Sequence, residues 1–344
     1  MSYLVGKIVL DVVAGAPNNG MGEDNVARVK QLRVGRNVHP YVSAQAFRRW
    51  LRDSLPASEP VSPVVRSGSG RKQQAYTQGR PDLYFDDDLF GYMVAVKGDK
   101  TKTCQRDTVL ATGTFVSVAP RRPELDFGTM SRGFAAGENP VLHSHEFYSA
   151  ELAGDVLVDL PRIGVFEIDG AGLKIALPEP AAEQARANGA EPVTFRGCSA
   201  LRLGIVERRR RAALLLRTLT TVRGGAKRSL HYGDRTPAMI LLAPMKGGIN
   251  PFTRVLGVRA DQVRFDAEVL RAEIEAWADE LDGQVLLGWA PGFLGDQRSQ
   301  VRSELNDLIA DGRLLLDHPR VLLGALAEQI ERGDRDAWFE DPKE

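Results

Sequence analysis

Tyr41-Val42-Ser43-Ala44-Gln45-Ala46-Phe47-Arg48-Arg49 turns an extended chain into a helix. Ser43 is a good N-cap, its hydroxyl able to accept from an N–H of the first turn. Val42 and Phe47 occupy hydrophobic-staple positions. Ala44, Phe47, Leu51 and Leu55 then recur at helical spacing and form one apolar stripe, so Arg48, Arg49 and Arg52 point off the core.

Upstream, Leu4, Gly6, Ile8, Leu10 and Val12 share one face of an extended segment, with Lys7 and Asp11 on the other, which predicts a strand with one solvated face. A Gly-, Pro- and Asn-rich loop over 15–22 follows, then a basic stretch in which Val29, Leu32, Val34 and Val38 are interspersed. Downstream, residues 58–83 are dominated by Ser, Pro, Gly, Gln and the cations Arg66, Arg71, Lys72 and Arg80. They have too few apolar positions to order alone, and are expected to form a mobile cationic insertion. Residues 89–96 and 108–118 read as a strand pair joined by a basic loop over 97–106. Residues 120–145 read as an irregular protruding arm around Phe127, Met130 and Phe134, with strand character returning over 155–168.

A second helix is predicted from 208 to 223, with Ala212, Leu215, Leu216, Leu219 and Val222 on one face and Gly224 as its C-terminal cap. Gly225, Ala226, Lys227 and Arg228 then make a basic loop. The run 238–243 is an apolar strand, 266–281 a helix carrying many acids, 284–290 a strand, and helices near Val301 and Val321 finish the chain. The order predicts an α+β fold, an antiparallel sheet backed by helices.

Composition narrows the function classes. The chain has 344 residues, 43% apolar and 26% charged, with 45 basic side chains against 45 acidic ones, so only local charge is informative. Residues 25–52 hold seven cations and no acid, whereas 261–282 hold eight acids against Arg264 and Arg271. Cys104 and Cys198 cannot build a disulfide framework or a four-sulfur zinc site. No apolar run is long enough to span a membrane, and a reduced cytoplasm is expected.

Catalytic candidates are few. His143 and His145 would share a strand face and could bridge a metal, but a third ligand at useful spacing is missing, so a polar strand end is expected and no metal is assigned. Asp86-Asp87-Asp88 could hold a divalent cation but reads as a solvated turn. Rossmann and P-loop spacings are absent, and no cofactor is expected. Binding to a phosphodiester backbone accounts for more: the basic helix face, the row Arg208 to Arg211 and the Gly-Gly-Ala-Lys-Arg loop combine cations with flexible amides.

Lys30, the segment from His39 to Arg49, Leu89-Phe90-Gly91 and Gly224-Gly225-Ala226-Lys227 occur in the order seen in the backbone subunit of type I CRISPR surveillance complexes (Cascade), which the chain resembles in its DevR branch over roughly residues 1–251. The resemblance implies an RNA-recognition-motif-like antiparallel palm with helices on one face, inserted fingers and a thumb. The corresponding limits are palm over 1–57, fingers over 58–88, further palm and finger strands over 89–118, thumb over 119–148, and palm with C-terminal helices over 149–344. It implies a non-catalytic subunit that stacks on its own copies along the guide RNA (crRNA), contacts other Cascade subunits and presents the guide to a target DNA strand. Guide contacts would come from Lys30, Arg33, Ser43, Gln45, Arg48, Arg49, Arg52, Gly224, Gly225, Ala226, Lys227 and Arg228, with Met130 or Phe134 as a thumb wedge. Ala44 stands where many members have Gly, and no residue aligns with the cleaving Asp of type III backbone subunits. Two further readings are a repeat-RNA endoribonuclease of the same superfamily with His39 or His231 as base, and a DNA-binding regulator, for which no helix-turn-helix spacing appears.

Overall fold

The computed structural model describes residues 2–22, 26–70, 73–95, 103–135, 137–169 and 175–341. Arg71 and Lys72 of the predicted insertion, and 97–102 of the predicted basic loop, lie outside the described residues.

The alternation near the N-terminus makes strand β1 (Tyr3–Gly15). The sequence predicts one solvated face, but both are covered: Leu4, Ile8 and Leu10 enter one core and Val5 and Val9 another. Lys7 is buried and bonds Asp155, its register partner, at 2.5 Å. Gly6 is needed for close approach, since a Cβ there would lie 1.7 Å from the Leu241 carbonyl oxygen.

Strands β2 (Val26–Ala27), β3 (Gln31–Val34) and β4 (Asn37–Val42) lead into helix α1 (Ala44–Asp53), which starts where its cap predicts. Within the insertion, β5 (Val65–Ser67) and β6 (Gln74–Tyr76) pair as a hairpin. Next comes α2 (Phe85–Phe90), so Leu89 and Phe90 end a helix where the sequence predicts a strand. Strand β7 (Tyr92–Ala95) pairs with β8 (Thr103–Arg106), a segment predicted as loop, and not with 108–118. That stretch divides into β9 (Leu110–Thr112) and β10 (Phe115–Ser117), which both pair elsewhere.

The predicted irregular arm is an antiparallel hairpin of β11 (Glu124–Met130) with the outer half of the 19-residue β12 (Val141–Asp159). Beyond it, β13 (Val165–Glu167), α3 (Glu179–Ala187), β14 (Glu191–Phe195) and β15 (Cys198–Arg202) build a satellite unit, whose small core includes Phe166, Ala182 and Leu201. Helix α4 (Ile205–Leu219) ends before Gly224; its cap is Thr220, so Gly224 is a loop residue. The remainder comprises β16 (Pro237–Met245), β17 (Leu256–Arg259), β18 (Gln262–Phe265), α5 (Ala267–Ala276), β19 (Val285–Trp289), α6 (Gln297–Glu304), α7 (Asn306–Ala310), β20 (Leu314–Asp317) and α8 (Pro319–Arg332).

The main sheet runs β20-β19-β16-β1-β12-β10-β4-β3, antiparallel except for the β19/β20 pair along this path. On the expected helical face, α1, α4 and α8 close a core around Phe47, Leu216 and Leu323. Helices α5, α6 and α7 add a layer on the opposite face, where Leu270, Val301 and Leu308 pack with Val5 and Leu287. This second layer explains why β1 is buried on both sides. Among the described residues, no helix is long and apolar enough to cross a membrane.

Candidate nucleic-acid interface

The site grows from the loop after β1. Asn18 Oδ1 accepts the Ser43 N–H at 2.9 Å, and the Asn18 carbonyl accepts the Lys30 N–H at 3.0 Å. Next to it, the Pro17 carbonyl accepts the Ala226 N–H at 2.9 Å. At the far end of α1, Ser54 Oγ accepts the Arg223 N–H at 2.7 Å. Gly224 lies on the Trp50 ring so closely that a Cβ would sit 2.5 Å from its Cγ. Lys30, the start of α1 and the Gly-rich loop, distant in sequence, are thus bound into one patch by Pro17 and Asn18. Neither of these two is among the residues the sequence points to; an Asn and a Pro directly after a strand are the signal that could have found them.

Within this patch the predicted residues divide by how their side chains are already engaged. Ser43 Oγ caps α1 by accepting from the Ala46 N–H at 3.4 Å. Arg48 donates to Thr112 Oγ1 at 3.2 Å, and burial with Arg52 nearby lowers its pKa. Arg49 pairs with Asp53 at 2.8 Å on the surface. Arg52 bonds the buried Asp86 at 2.8 Å and lies over the Phe90 ring, so it is less available than its helical position predicts. Lys30, Arg33, Gln45, Lys227 and Arg228 make no side-chain hydrogen bond or ion pair among the described residues. Lys227 adopts a left-handed φ of 56°, turning the chain at the tip of the loop.

Two sequence readings are corrected by burial. Asp86, Asp87 and Asp88 are fully buried in α2 and not a solvated turn. Asp86 also accepts from the Ser62 N–H, Asp87 from the Arg80 N–H, and Asp88 bonds Arg106, Arg211 at 2.7 Å and the Gly164 N–H. Their partners come from remote parts of the chain, which no local pattern reveals. Burial raises the Asp87 pKa.

The arginine row is likewise structural. Arg208 donates to the carbonyls of Ile163, Pro161 and Phe339, and burial pushes its pKa down to about 10. Arg211 is held by Asp88 and Glu207, Arg209 by Asp336, and Arg210 by Glu59 and Glu207. These four guanidiniums tie α4 to its neighbours.

Along the arm, Met130 is 55% exposed and Phe127 59%, so neither packs beneath it on the palm; Phe134 is half-buried. His143 is exposed opposite Gly128, while His145 is buried opposite Asp126. His39 Nδ1 lies 2.8 Å from the Ser117 carbonyl oxygen, a structural contact within the palm. His231, the other candidate base, approaches His145 with their Nε2 atoms 2.6 Å apart. Burial lowers the His145 pKa, against Asp126, which raises it.

Sheet, helices, arm and insertion define the class: an RNA-recognition-motif-like palm with two outgrowths. Over 95% of its length the chain superposes on the whole of one chain of a "CRISPR RNA-guided surveillance complex, pre-nicking", with TM-score 0.54 and 11% identity. It also superposes over 95% of its length on 98% of a chain of a "CRISPR RNA-guided surveillance complex", with TM-score 0.50 and 14% identity. At such identities the likeness is one of fold. In sequence the chain is 28% identical over 163 residues to "CRISPR-associated protein Cas7/Cst2/DevR" of Myxococcus xanthus (strain DK1622). The match covers 43% of this chain and 54% of that protein, about half the length of the relative. No protein-family model matches the sequence. Sequence likeness to a Cas7/Cst2/DevR protein and fold likeness to chains of CRISPR surveillance complexes thus bear out the resemblance drawn from the sequence.

Proposed function

We propose that the chain is a non-catalytic crRNA-binding backbone subunit of a type I CRISPR surveillance complex. The observation that carries the reading is the patch in which Pro17 and Asn18 join Lys30, the N-terminus of α1 and the loop from Gly224 to Arg228. A helix start offers N–H groups and positive potential to a phosphate, and a loop of Gly224, Gly225 and Ala226 lets a sugar-phosphate backbone come close. Lys30, Arg33, Lys227 and Arg228, which make no ion pair among the described residues, supply cations, and Gln45 adds an exposed amide. Arg48, Arg49 and Arg52 contribute from the next turns of α1. None of these groups reads a base, so binding is sequence-tolerant.

In this reading residues 1–57, 89–118 and 149–344 are the palm, 58–88 the fingers and 119–148 the thumb. Copies stack along the guide in the cytoplasm, contact other subunits of the complex and present the guide for pairing with a target DNA strand. Acidic surface elsewhere on the neutral chain suits stacking against a basic neighbour.

Titration of the purified chain with guide RNAs of two unrelated spacers over a salt series tests the proposal. Equal affinities and a steep salt slope are expected, with assemblies that lengthen with the RNA by light scattering. Replacing Lys227 and Arg228 by Ala should reduce the slope by about 0.7 for each phosphate no longer neutralised, with the melting temperature nearly unchanged. A large affinity difference between spacers with little salt dependence, or cleavage of repeat RNA, would overturn it.

A further inference from the structure

Where the arm joins the palm, three electron-pair donors from three segments converge. Asp126 on β11 and His145 on β12 are direct register partners across the arm hairpin, and His145 Nε2 lies 3.3 Å from Asp126 Oδ2. His231, three residues beyond Arg228, brings its Nε2 to 2.6 Å from the same nitrogen. The ligand atoms of all three residues lie within 4.8 Å of one another. Two further features hold this arrangement. Phe147, two residues along β12 and therefore on the same face as His145, stacks on the His231 ring at 5.2 Å and 18°. The His231 N–H donates to the Lys227 carbonyl at 2.8 Å, which fixes where the segment turns back toward the arm.

Hydrogen bonding alone accounts poorly for the trio. The His145 ring is buried, so its Nε2 depends on partners from within the protein. Its Nε2 faces an imidazole nitrogen, which donates or accepts according to its tautomer, and a carboxylate, which accepts. A single Nε2–H can satisfy only one of them well. A cation bound by all three lone pairs satisfies every one.

We infer that Asp126, His145 and His231 form a transition-metal site of the zinc class that staples the base of the arm to the segment following the Gly-rich loop. The donor set, two imidazole nitrogens and one carboxylate, is one that zinc accepts in a three-ligand site. Metal–nitrogen bonds of about 2.0–2.1 Å in tetrahedral geometry put two ligand nitrogens roughly 3.3 Å apart. The two rings would therefore part by less than about 1 Å, a movement available to His231, which is only half-buried. The half-exposed Asp126 leaves the fourth position open to water. Metal binding would order the arm relative to the loop carrying Lys227 and Arg228, and the site uses none of the residues assigned to guide binding.

The test uses the full chain, stripped with a chelator and titrated with Co2+ as a spectroscopic probe. One equivalent should give the d–d absorption of a low-coordinate histidine and carboxylate site, and Zn2+ should displace it. His231→Ala and Asp126→Asn, at half-buried and exposed positions, should each weaken Co2+ binding at least about tenfold, as even outer-shell changes can. His143→Ala, at an exposed neighbouring position, should bind as the parent does. Zn2+ should also slow proteolysis within the arm of the parent and not of His231→Ala. Absence of the absorption, or equal Co2+ affinity in parent, His231→Ala and Asp126→Asn, would overturn the site and leave a proton shared between two histidines. Both variants can be checked for folding by near-ultraviolet circular dichroism without metal, so a folding defect is separable from loss of a ligand.

Discussion

Asn18 Oδ1 accepts the Ser43 N–H at 2.9 Å, so one carboxamide joins the loop after the first strand to the start of α1. Asn18→Ala leaves that N–H without its partner and should cost about 1–2 kcal/mol in urea unfolding. Asn18→Asp keeps an acceptor at the same place and should restore most of the loss. The Asn18 carbonyl that accepts the Lys30 N–H remains in the Ala variant, but its loop loses the tie to α1, so guide RNA should bind more weakly as well. Equal stability of the Ala variant and the parent would show that the loop holds without this bond.

Asp88 is the centre of a buried charge cluster, bonded to Arg106, Arg211 and the Gly164 N–H. Arg106 is itself fully buried and also donates to the carbonyls of Val165 and Arg162. Removing the one carboxylate that bridges two buried guanidiniums leaves only Glu207 beside Arg211 and Glu167 at 3.8 Å from Arg106, so Asp88→Asn should cost roughly 3 kcal/mol. Asp53→Asn breaks the exposed pair with Arg49 and should cost only about 0.3–0.5 kcal/mol. Denaturant midpoints of the two variants check the contrast, and similar losses would refute it.

Residues whose order depends on neighbours in sequence are legible, and those whose order depends on distant partners are not. The α1 start follows from Ser43, Val42 and Phe47 alone, and the apolar run of β16 from its composition. Asp86 to Asp88 look solvated until Arg52, Arg106 and Arg211 arrive from other elements. The same holds for Arg208 to Arg211, whose local pattern is that of a cationic helix face. Strand β12 is legible only in its later part, because Gly, His and Ser residues obscure its alternation. In the candidate interface, the cations and Gly-rich loop are visible as types, but the hub at Pro17 and Asn18 needs the register of β1 and the position of α1.

Glu207 gives the chain a measurable acid response. Burial raises the pKa of its carboxyl, but hydrogen bonds and charge from Arg210 and Arg211 outweigh this and hold it below the ordinary value of 4.5. A carboxylate with a lowered folded pKa contributes stability that is fully present above the ordinary value and is lost as pH falls through the folded one. Glu207→Gln should therefore be less stable than the parent by about 1–2 kcal/mol at neutral pH, with the two converging as pH falls below 4.5. Urea midpoints across that range check it; a constant gap at all pH values would mean that the charge of Glu207 is irrelevant.

The arm carries the last prediction. Leu125, Phe127, Met130, Val141 and Leu142 are each more than half exposed, and this hairpin thus presents apolar side chains to solvent with no core of its own to join. Such side chains can insert between bases and unstack them, at a cost of a few kcal/mol per step that neighbouring contacts offset. In the proposed assembly Met130 or Phe134 would act as the thumb wedge, once per copy, displacing one nucleotide of the guide at regular intervals. A displaced nucleotide cannot pair with target, so a mismatch there should cost nothing, while mismatches between should each weaken binding. Target affinity measured with single mismatches walked along the guide should show insensitive positions at a fixed spacing, and Met130→Ala with Phe134→Ala should blur that pattern. A smooth penalty without a period would eliminate the wedge and leave the exposed face of the arm as a contact surface between neighbouring copies.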